Sequence, residues 1–181
     1  MKQTLFKANI TAAGKYLPKK VLTNHDLEKL VETSDEWIQS RTGIRERRIV
    51  QNGEATAEMS TNAIRDLMDK HNLLPEEIDA IIIATITPDM MFPSSAALIQ
   101  KNINAKNAWG YDLSAACSGF LFALESGAAL IESGRCNKVI VVGCFGIILY
   151  VFQCFHPYRS IPGKYCICCK IPYFLIKWKN S

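Results

Sequence analysis

Hydrophobic positions in the first 143 residues follow two spacings, one typical of buried strands and one typical of amphipathic helices. Continuous apolar runs predict buried strands at 79–85 and 138–143, and residues 108–113 are predicted as a further strand. Strand-like patterns at 5–13 and 44–50 predict two more. Helical patterns separate these runs, so strands and helices are expected to alternate along the chain.

Helix ends are predicted from capping residues and from the spacing of apolar positions. Asn24 is predicted as the N-cap of a helix that continues to about residue 31, and Ser34 begins a second helix that ends before Gly43. Pro75 starts a short helical turn. The remaining predicted helices lie around 59–68, at 94–103 and at 117–133. Strands of near-continuous apolar character that alternate with helices predict an α/β fold, with a mostly parallel sheet covered by helices on both faces.

Composition divides the chain at residue 144. Residues 1–143 contain all 17 acidic residues and 16 of the 21 Lys and Arg, for a formal charge of −1. Residues 144–181 contain no acidic residue, and they hold five of the seven cysteines and nine of the 17 aromatic residues. The net charge of +4 therefore comes from this tail, and no basic face that would bind nucleic acid is predicted. We expect an organised part at 1–143 and a separate Cys- and aromatic-rich tail at 144–181.

Three interpretations of the tail compete. A frameshifted or otherwise truncated gene product is favoured, because the change in composition is abrupt and resembles A/T-rich DNA translated out of register. A membrane-associated tail is less favoured, since the apolar run at 139–155 loses its first five residues to the strand predicted there and becomes too short to span. A metal site is weakly indicated, because the Cys and His spacing does not match paired C-x2-C motifs. The residues considered for it are Cys154, His156, Cys166, Cys168 and Cys169.

Neither a secretory signal nor an Arg/Ser-rich transit segment is recognised before the first predicted strand. We therefore expect cytoplasmic localisation, no membrane association and reduced cysteines.

Cys117 lies where a predicted strand gives way to a predicted helix. Its sulfur would lie near the first N–H groups of that helix, where the positive end of the dipole favours the thiolate, which is the nucleophilic form. Buried cysteines more often act as small apolar side chains. The small residues around Cys117 allow either tight packing or the close approach of a substrate, so position alone leaves both interpretations open.

Three separated segments together resemble one family. They are Thr33-Ser-Asp-Glu-Trp-Ile-Gln-Ser-Arg-Thr-Gly-Ile-Arg-Glu-Arg47, Phe92-Pro-Ser-Ser and Asp112-Leu-Ser-Ala-Ala-Cys-Ser-Gly-Phe120. In this order they resemble β-ketoacyl-acyl-carrier-protein synthase III, an enzyme with the thiolase fold that starts type II fatty-acid synthesis. The resemblance is collinear over about 5–143. It implies the N-terminal half of a thiolase-like fold, which is built from two similar halves.

The resemblance implies a two-stage condensation. Acetyl-CoA would acylate Cys117, and malonyl-acyl-carrier protein would then lose CO2 and attack the resulting thioester. Backbone N–H groups, that of the cysteine included, would stabilise the thioester oxygen. The implied partners are acetyl-CoA as substrate, malonyl-acyl-carrier protein and a second copy in a homodimer, and neither a cofactor nor a metal is expected.

The resemblance also implies a CoA site. Trp37 would stack on the adenine, Arg41 would meet phosphates and Thr33 would hydrogen-bond the base. Phe92 would reach across a dimer into the neighbouring acyl pocket. Without the motif, Trp37 would be interpreted as a core anchor, Arg41 as a solvated surface charge and Phe92 as apolar loop packing.

The chain departs from the family in its catalytic partners. The family uses a His and an Asn from its C-terminal half to stabilise the carbanion, and His25, His71 and His156 do not stand in the required motif. The family's second CoA-binding arginine is absent too, and its members continue after residue 143 with polar, Asp-containing sequence. The alternative function is therefore a catalytically inactive truncated fragment that binds CoA or associates through an exposed half.

Overall fold

The computed structural model describes residues 8–51 and 53–144, together with the backbone of residues 176–177. The chain forms two compact units. The described residues of the smaller unit lie within 17–54, and those of the larger unit are 8–16, 55–144 and 176–177. The predicted division at residue 144 stays a prediction, and the tail cysteines and His156 lie outside the described residues, apart from Cys144.

The smaller unit pairs a two-stranded ladder with two short helices. Its elements are β1 (Lys20–Thr23), α1 (Asn24–Glu28), α2 (Asp35–Thr42) and β2 (Glu46–Ile49). Strands β1 and β2 are antiparallel. The predicted start of α2 is confirmed, because Ser34 accepts the N–H of Trp37 and Gly43 ends the helix with a left-handed φ of 68°.

The N-cap predicted for α1 is wrong by one residue. Thr23, not Asn24, caps the helix: its hydroxyl accepts the N–H of Asp26, and the Asp26 carboxylate accepts the N–H of Thr23. The helix also ends at Glu28 rather than near residue 31.

The larger unit contains the sheet and the longer helices. Its elements are α3 (Thr56–His71), a 3-10 turn (Pro75–Glu77), β3 (Ala80–Ala84), α4 (Ser95–Asn102), β4 (Trp109–Leu113), a second 3-10 turn (Ala116–Ser118), α5 (Gly119–Glu132), β5 (Val139–Gly143) and β6 (Ile176–Lys177). Among these elements, no helix is long and apolar enough to cross a membrane.

The sheet confirms the predicted α/β class. Its strand order is β4-β3-β5-β6, with β3 parallel to both β4 and β5 and with β6 antiparallel to β5. Every residue of β3 and β5 is buried, as expected for central strands covered on both faces.

Helices cover the two faces of this sheet. Alternate residues of β3, including Ile82, pack with Ala123 and Ile131 of α5. On the other face, a Cβ placed on Gly110 of β4 would lie 3.1 Å from the Cβ of Ala96 in α4. The same Cβ would lie 2.3 Å from the main-chain oxygen of Ile81 in β3, so this position requires glycine.

The strand predicted at 5–13 is wrong over its described residues. Within 8–13 only Ile10 forms a bridge, and the segment is otherwise irregular. Exposure alternates only over residues 11–15, where Ala12 and Gly14 are buried. The backbone at Gly14 lies against α3, where a Cβ would lie 2.4 Å from the main-chain oxygen of Ala63.

Candidate active site

Cys117 lies on a sharp turn between β4 and α5. The strand ends at Leu113, and Ala116 then adopts a left-handed φ of 45°, which is unfavourable for a residue with a Cβ. Cys117 follows in the 3-10 turn and is exposed, and α5 begins at Gly119. The prediction that the helix begins at Cys117 is therefore corrected by two residues. A strained strand-to-helix turn that exposes a nucleophile is typical of catalytic sites.

Two glycines lie where this turn meets the carboxyl ends of the parallel strands. Gly119 is buried, and a Cβ there would lie 3.5 Å from the Cβ of Ala84, the last residue of β3. Gly143 ends β5 beneath Phe120, and a Cβ at this glycine would lie 2.9 Å from the Phe120 ring. The first turn of α5 thus packs directly on the ends of β3 and β5. Sites of open α/β sheets form at this edge.

Asp112 connects the motif around Cys117 to helix α4. Its carboxylate oxygens accept the main-chain N–H groups of Ser95 and Ala96, each at 2.8 Å. Ser94 caps the same helix by accepting the N–H of Ala97 at 3.2 Å. The start of α4 is thereby held at the end of β4.

Phe92 lies on a loop that is anchored at both ends. Before it, Thr87 accepts the hydroxyl of Thr56 at 2.6 Å, and Asp89 accepts the N–H of Ala57 at 2.8 Å. After it, α4 begins at Ser95. Phe92 itself is 89% exposed, so it is not packed within its own chain as an ordinary apolar loop residue would be.

Helix α2 presents the residues predicted for CoA binding. Trp37 is 56% exposed, which excludes a role as a core anchor. The guanidinium carbon of Arg41 lies 6.0 Å from the centroid of the Trp37 ring, within cation–π range. Thr33 lies just before the helix and is partly buried. The structure therefore brings Trp37 and Arg41 together on one exposed helix face, as expected for residues four apart.

The other described cysteines differ from Cys117 in exposure. Cys136 and Cys144 are both buried. Burial raises the pKa of the Cys136 thiol, and the nearby Asp79 raises it further. Of the cysteines that the structure describes, Cys117 is thus the one that solvent and a large substrate can reach.

Sequence reasoning missed two polar residues that hold these elements. Asp112 is the first residue of the motif around Cys117, but the sequence pattern gave it no role. The available signal was its acidic side chain, because carboxylates are favoured at the N-terminal ends of helices. Asn24 is predicted only as a cap, and no sequence signal identifies its distant partners.

Comparison with known proteins shows which proteins this chain is similar to. Residues 111–146 match the family model of 3-oxoacyl-[acyl-carrier-protein (ACP)] synthase III. The β-ketoacyl-[acyl-carrier-protein] synthase III of Chlorobaculum tepidum is 56% identical over 138 residues, which are 76% of this chain. The chain is homologous to β-ketoacyl-[acyl-carrier-protein] synthase III. It spans only 42% of the length of that relative, so it is a partial homologue of the synthase III family.

Solved structures agree with this assignment. The 3-oxoacyl-[acyl-carrier-protein] synthase III of Aquifex aeolicus is 39% identical, with a TM-score of 0.78 over 96% of this chain and 54% of its own. The priming β-ketosynthase of the R1128 polyketide pathway is 29% identical, with a TM-score of 0.80 over 97% of this chain and 51% of its own. The predicted likeness to part of a thiolase-like synthase III fold is confirmed.

Proposed function

We propose that this chain carries the nucleophile and part of the CoA site of a β-ketoacyl-acyl-carrier-protein synthase III acyltransferase. The observation that supports the proposal most strongly is the exposed Cys117 on a strained turn, next to the ends of the parallel strands. Homology over three quarters of the chain supplies the class of reaction.

The proposed chemistry has two stages. In the first, the Cys117 thiolate attacks the carbonyl carbon of acetyl-CoA, the bond from that carbon to the CoA sulfur breaks, and CoA leaves. In the second, malonyl-acyl-carrier protein loses CO2, and the carbanion forms a carbon–carbon bond with the acetyl carbonyl. The thioester bond to Cys117 then breaks and returns the thiolate. Main-chain N–H groups near the turn would stabilise the negative charge on the oxygen in both stages.

Helix α2 would bind the nucleotide end of CoA. The exposed Trp37 ring would stack on adenine, and Arg41 would exchange its contact with that ring for CoA phosphates. Thr33 would hydrogen-bond the adenine edge. The relevant support is that the aromatic and cationic side chains already lie together on one face.

Phe92 would extend into the acyl pocket of a second copy in a homodimer. Its 89% exposure on an anchored loop supports this role, because a large apolar side chain held in solvent suits burial by a partner. The enzyme would act in the cytoplasm, where its two substrates are used.

A second candidate function concerns the 181 residues by themselves. They span 42% of the length of the relative from Chlorobaculum tepidum, and none of their histidines stands in the family's catalytic motif. We propose that these residues alone take up an acetyl group without completing condensation, because no side chain is assigned to stabilise the carbanion.

Release of CoA distinguishes the two candidates. The chain is mixed with acetyl-CoA and malonyl-acyl-carrier protein, and both free CoA and acetoacetyl-acyl-carrier protein are followed. We expect a single burst of CoA and no acetoacetyl product, with no burst from Cys117→Ala and a normal burst from the exposed neighbour variant Ser118→Ala. Sustained formation of acetoacetyl product would overturn the inactive candidate, and the absence of any burst from folded protein would overturn the proposed nucleophile.

A further inference from the structure

A buried side-chain amide joins three segments of the smaller unit. Asn24, which is 1% exposed, donates from Nδ2 to Oδ1 of Asp35 and to the main-chain oxygen of Ile44, each at 2.7 Å. Its Oδ1 accepts from Nη1 of Arg47 at 2.6 Å. Asp35 is the first residue of α2, and Ile44 lies two residues beyond its last, so one amide holds the helix at both ends.

These bonds are not needed to form the helix that contains Asn24. Helix α1 is already capped by Thr23, through a reciprocal pair of bonds with Asp26. The Asn24 amide instead uses both N–H groups and its oxygen on other segments. A buried amide is costly unless its groups are paired, and losing one partner leaves the others unsatisfied. The network therefore concerns the placement of α2 rather than the stability of α1.

Further contacts fix the rotation of α2 about its axis. The N–H of Asp35 donates to Oε1 of Glu28 at 2.6 Å, and Oδ2 of Asp35 accepts from Gln39 at 2.6 Å. Residues follow each other by about 100° around an α-helix. Trp37 and Arg41 are two and six positions after Asp35, so both project from the side opposite the anchored carboxylate. The contacts of Asp35 therefore set the direction in which Trp37 and Arg41 project.

We propose that Asn24 is the positioning residue of helix α2, holding both ends of the helix so that Trp37 and Arg41 form a preformed face for the adenine and phosphates of CoA. This inference rests on the CoA site proposed above, and Asn24 itself does not touch the ligand. A helix held in its binding orientation loses less conformational freedom when the ligand binds.

The test uses the full chain with Trp109→Phe and Trp178→Phe, which leaves Trp37 as the single tryptophan. Asn24→Asp keeps the acceptor but removes both donors and places a second carboxylate against Asp35. Adding Asp35→Asn restores an amide–carboxylate pair in the reversed sense. CoA is titrated through Trp37 fluorescence, and amide hydrogen exchange of α2 is measured without CoA.

We expect Asn24→Asp to weaken CoA binding by about tenfold and to speed exchange in α2, because the binding-competent orientation becomes a minor state. The reversed pair restores the bond between residues 24 and 35 but not the bond to Ile44, so it recovers part of both losses, which a general loss of stability would not do. Asn102→Ala serves as the control, because it removes a different asparagine amide, one that donates to Thr61 in the larger unit. It should leave both CoA affinity and α2 exchange unchanged.

Two results would overturn the inference: unchanged CoA affinity and α2 exchange in folded Asn24→Asp, or no recovery in the reversed pair. If the parent chain does not bind CoA, or if Arg41→Ala binds it equally well, the CoA site fails instead. The rate of amide hydrogen exchange in α2 then shows by itself whether Asn24 positions the helix.

Discussion

Replacing Asp112 will detach the start of α4 from the end of β4. Both carboxylate oxygens accept main-chain N–H groups of the first turn of α4, from Ser95 and Ala96, each at 2.8 Å. These two residues are completely buried, so solvent does not readily replace the lost acceptor. The perturbation therefore strands two buried donors at one helix end.

The magnitude follows from the two bonds. A hydrogen bond to a charged group contributes about 1.5–3 kcal/mol. Because both bonds cap the same helix, we take about 3 kcal/mol for Asp112→Ala rather than the full sum. Asp112→Asn keeps one acceptor oxygen and turns its NH2 toward the other donor, so about half that loss is expected, roughly 1.5 kcal/mol.

Urea denaturation followed by circular dichroism measures these differences in the free energy of unfolding. Asp69→Asn, at an exposed position on α3, is the matched control and should stay within about 0.5 kcal/mol of the parent chain. The reasoning is refuted if both Asp112 variants also stay within about 0.5 kcal/mol.

Three shorter predictions concern glycine packing, pH and thiol exposure. Gly110→Ala should lower the free energy of unfolding by about 3 kcal/mol, because the new Cβ would meet a main-chain oxygen. Gly119→Ala should raise it by about 0.5 kcal/mol, because the new Cβ would make only ordinary contacts in a helix. Equal free energies of unfolding for the two variants in urea denaturation would contradict this. The hydrogen bond to Glu28 raises the pKa of His25. The bond to the protonated ring therefore stabilises the fold below the ordinary His pKa of 6.5, and this stabilisation is lost as pH rises through the pKa of His25 in the folded protein. His25→Ala should therefore lower thermal stability at about pH 5 and not at about pH 9, and an equal loss at both would exclude the pair. Iodoacetamide should modify Cys117 before the buried cysteines that the structure describes, and simultaneous labelling in folded protein would contradict its exposure.

The central strands could be predicted because burial on both faces leaves an apolar run. Residues 79–85 and 138–143 correspond closely to β3 and β5, whose residues are all buried. Helix α2 was equally clear, since its cap at Ser34 and its end at Gly43 are local signals. Elements determined by their own residues are those that sequence patterns identify best.

Positions determined by distant contacts were harder to predict. The first segment alternates like a strand, but its Gly14 packs against α3. Asn24 looks like a cap, yet its partners lie 11 to 23 residues away. At Cys117 the motif located the junction, while the left-handed Ala116 before it could not be predicted, because glycine or asparagine normally occupies that conformation. Tertiary contacts decided the cases of Gly14 and Asn24.

Acetyl transfer from acetyl-CoA to Cys117 tests the proposed function most directly. The folded chain is incubated with acetyl-CoA, its intact mass is measured, and the modified residue is located by peptide mapping at acidic pH, where thioesters survive. We predict one acetyl group, on Cys117, that hydroxylamine removes and that Cys117→Ala does not acquire. A folded chain that stays unmodified, or that carries its acetyl group on another residue, would contradict the assignment of Cys117 as the nucleophile.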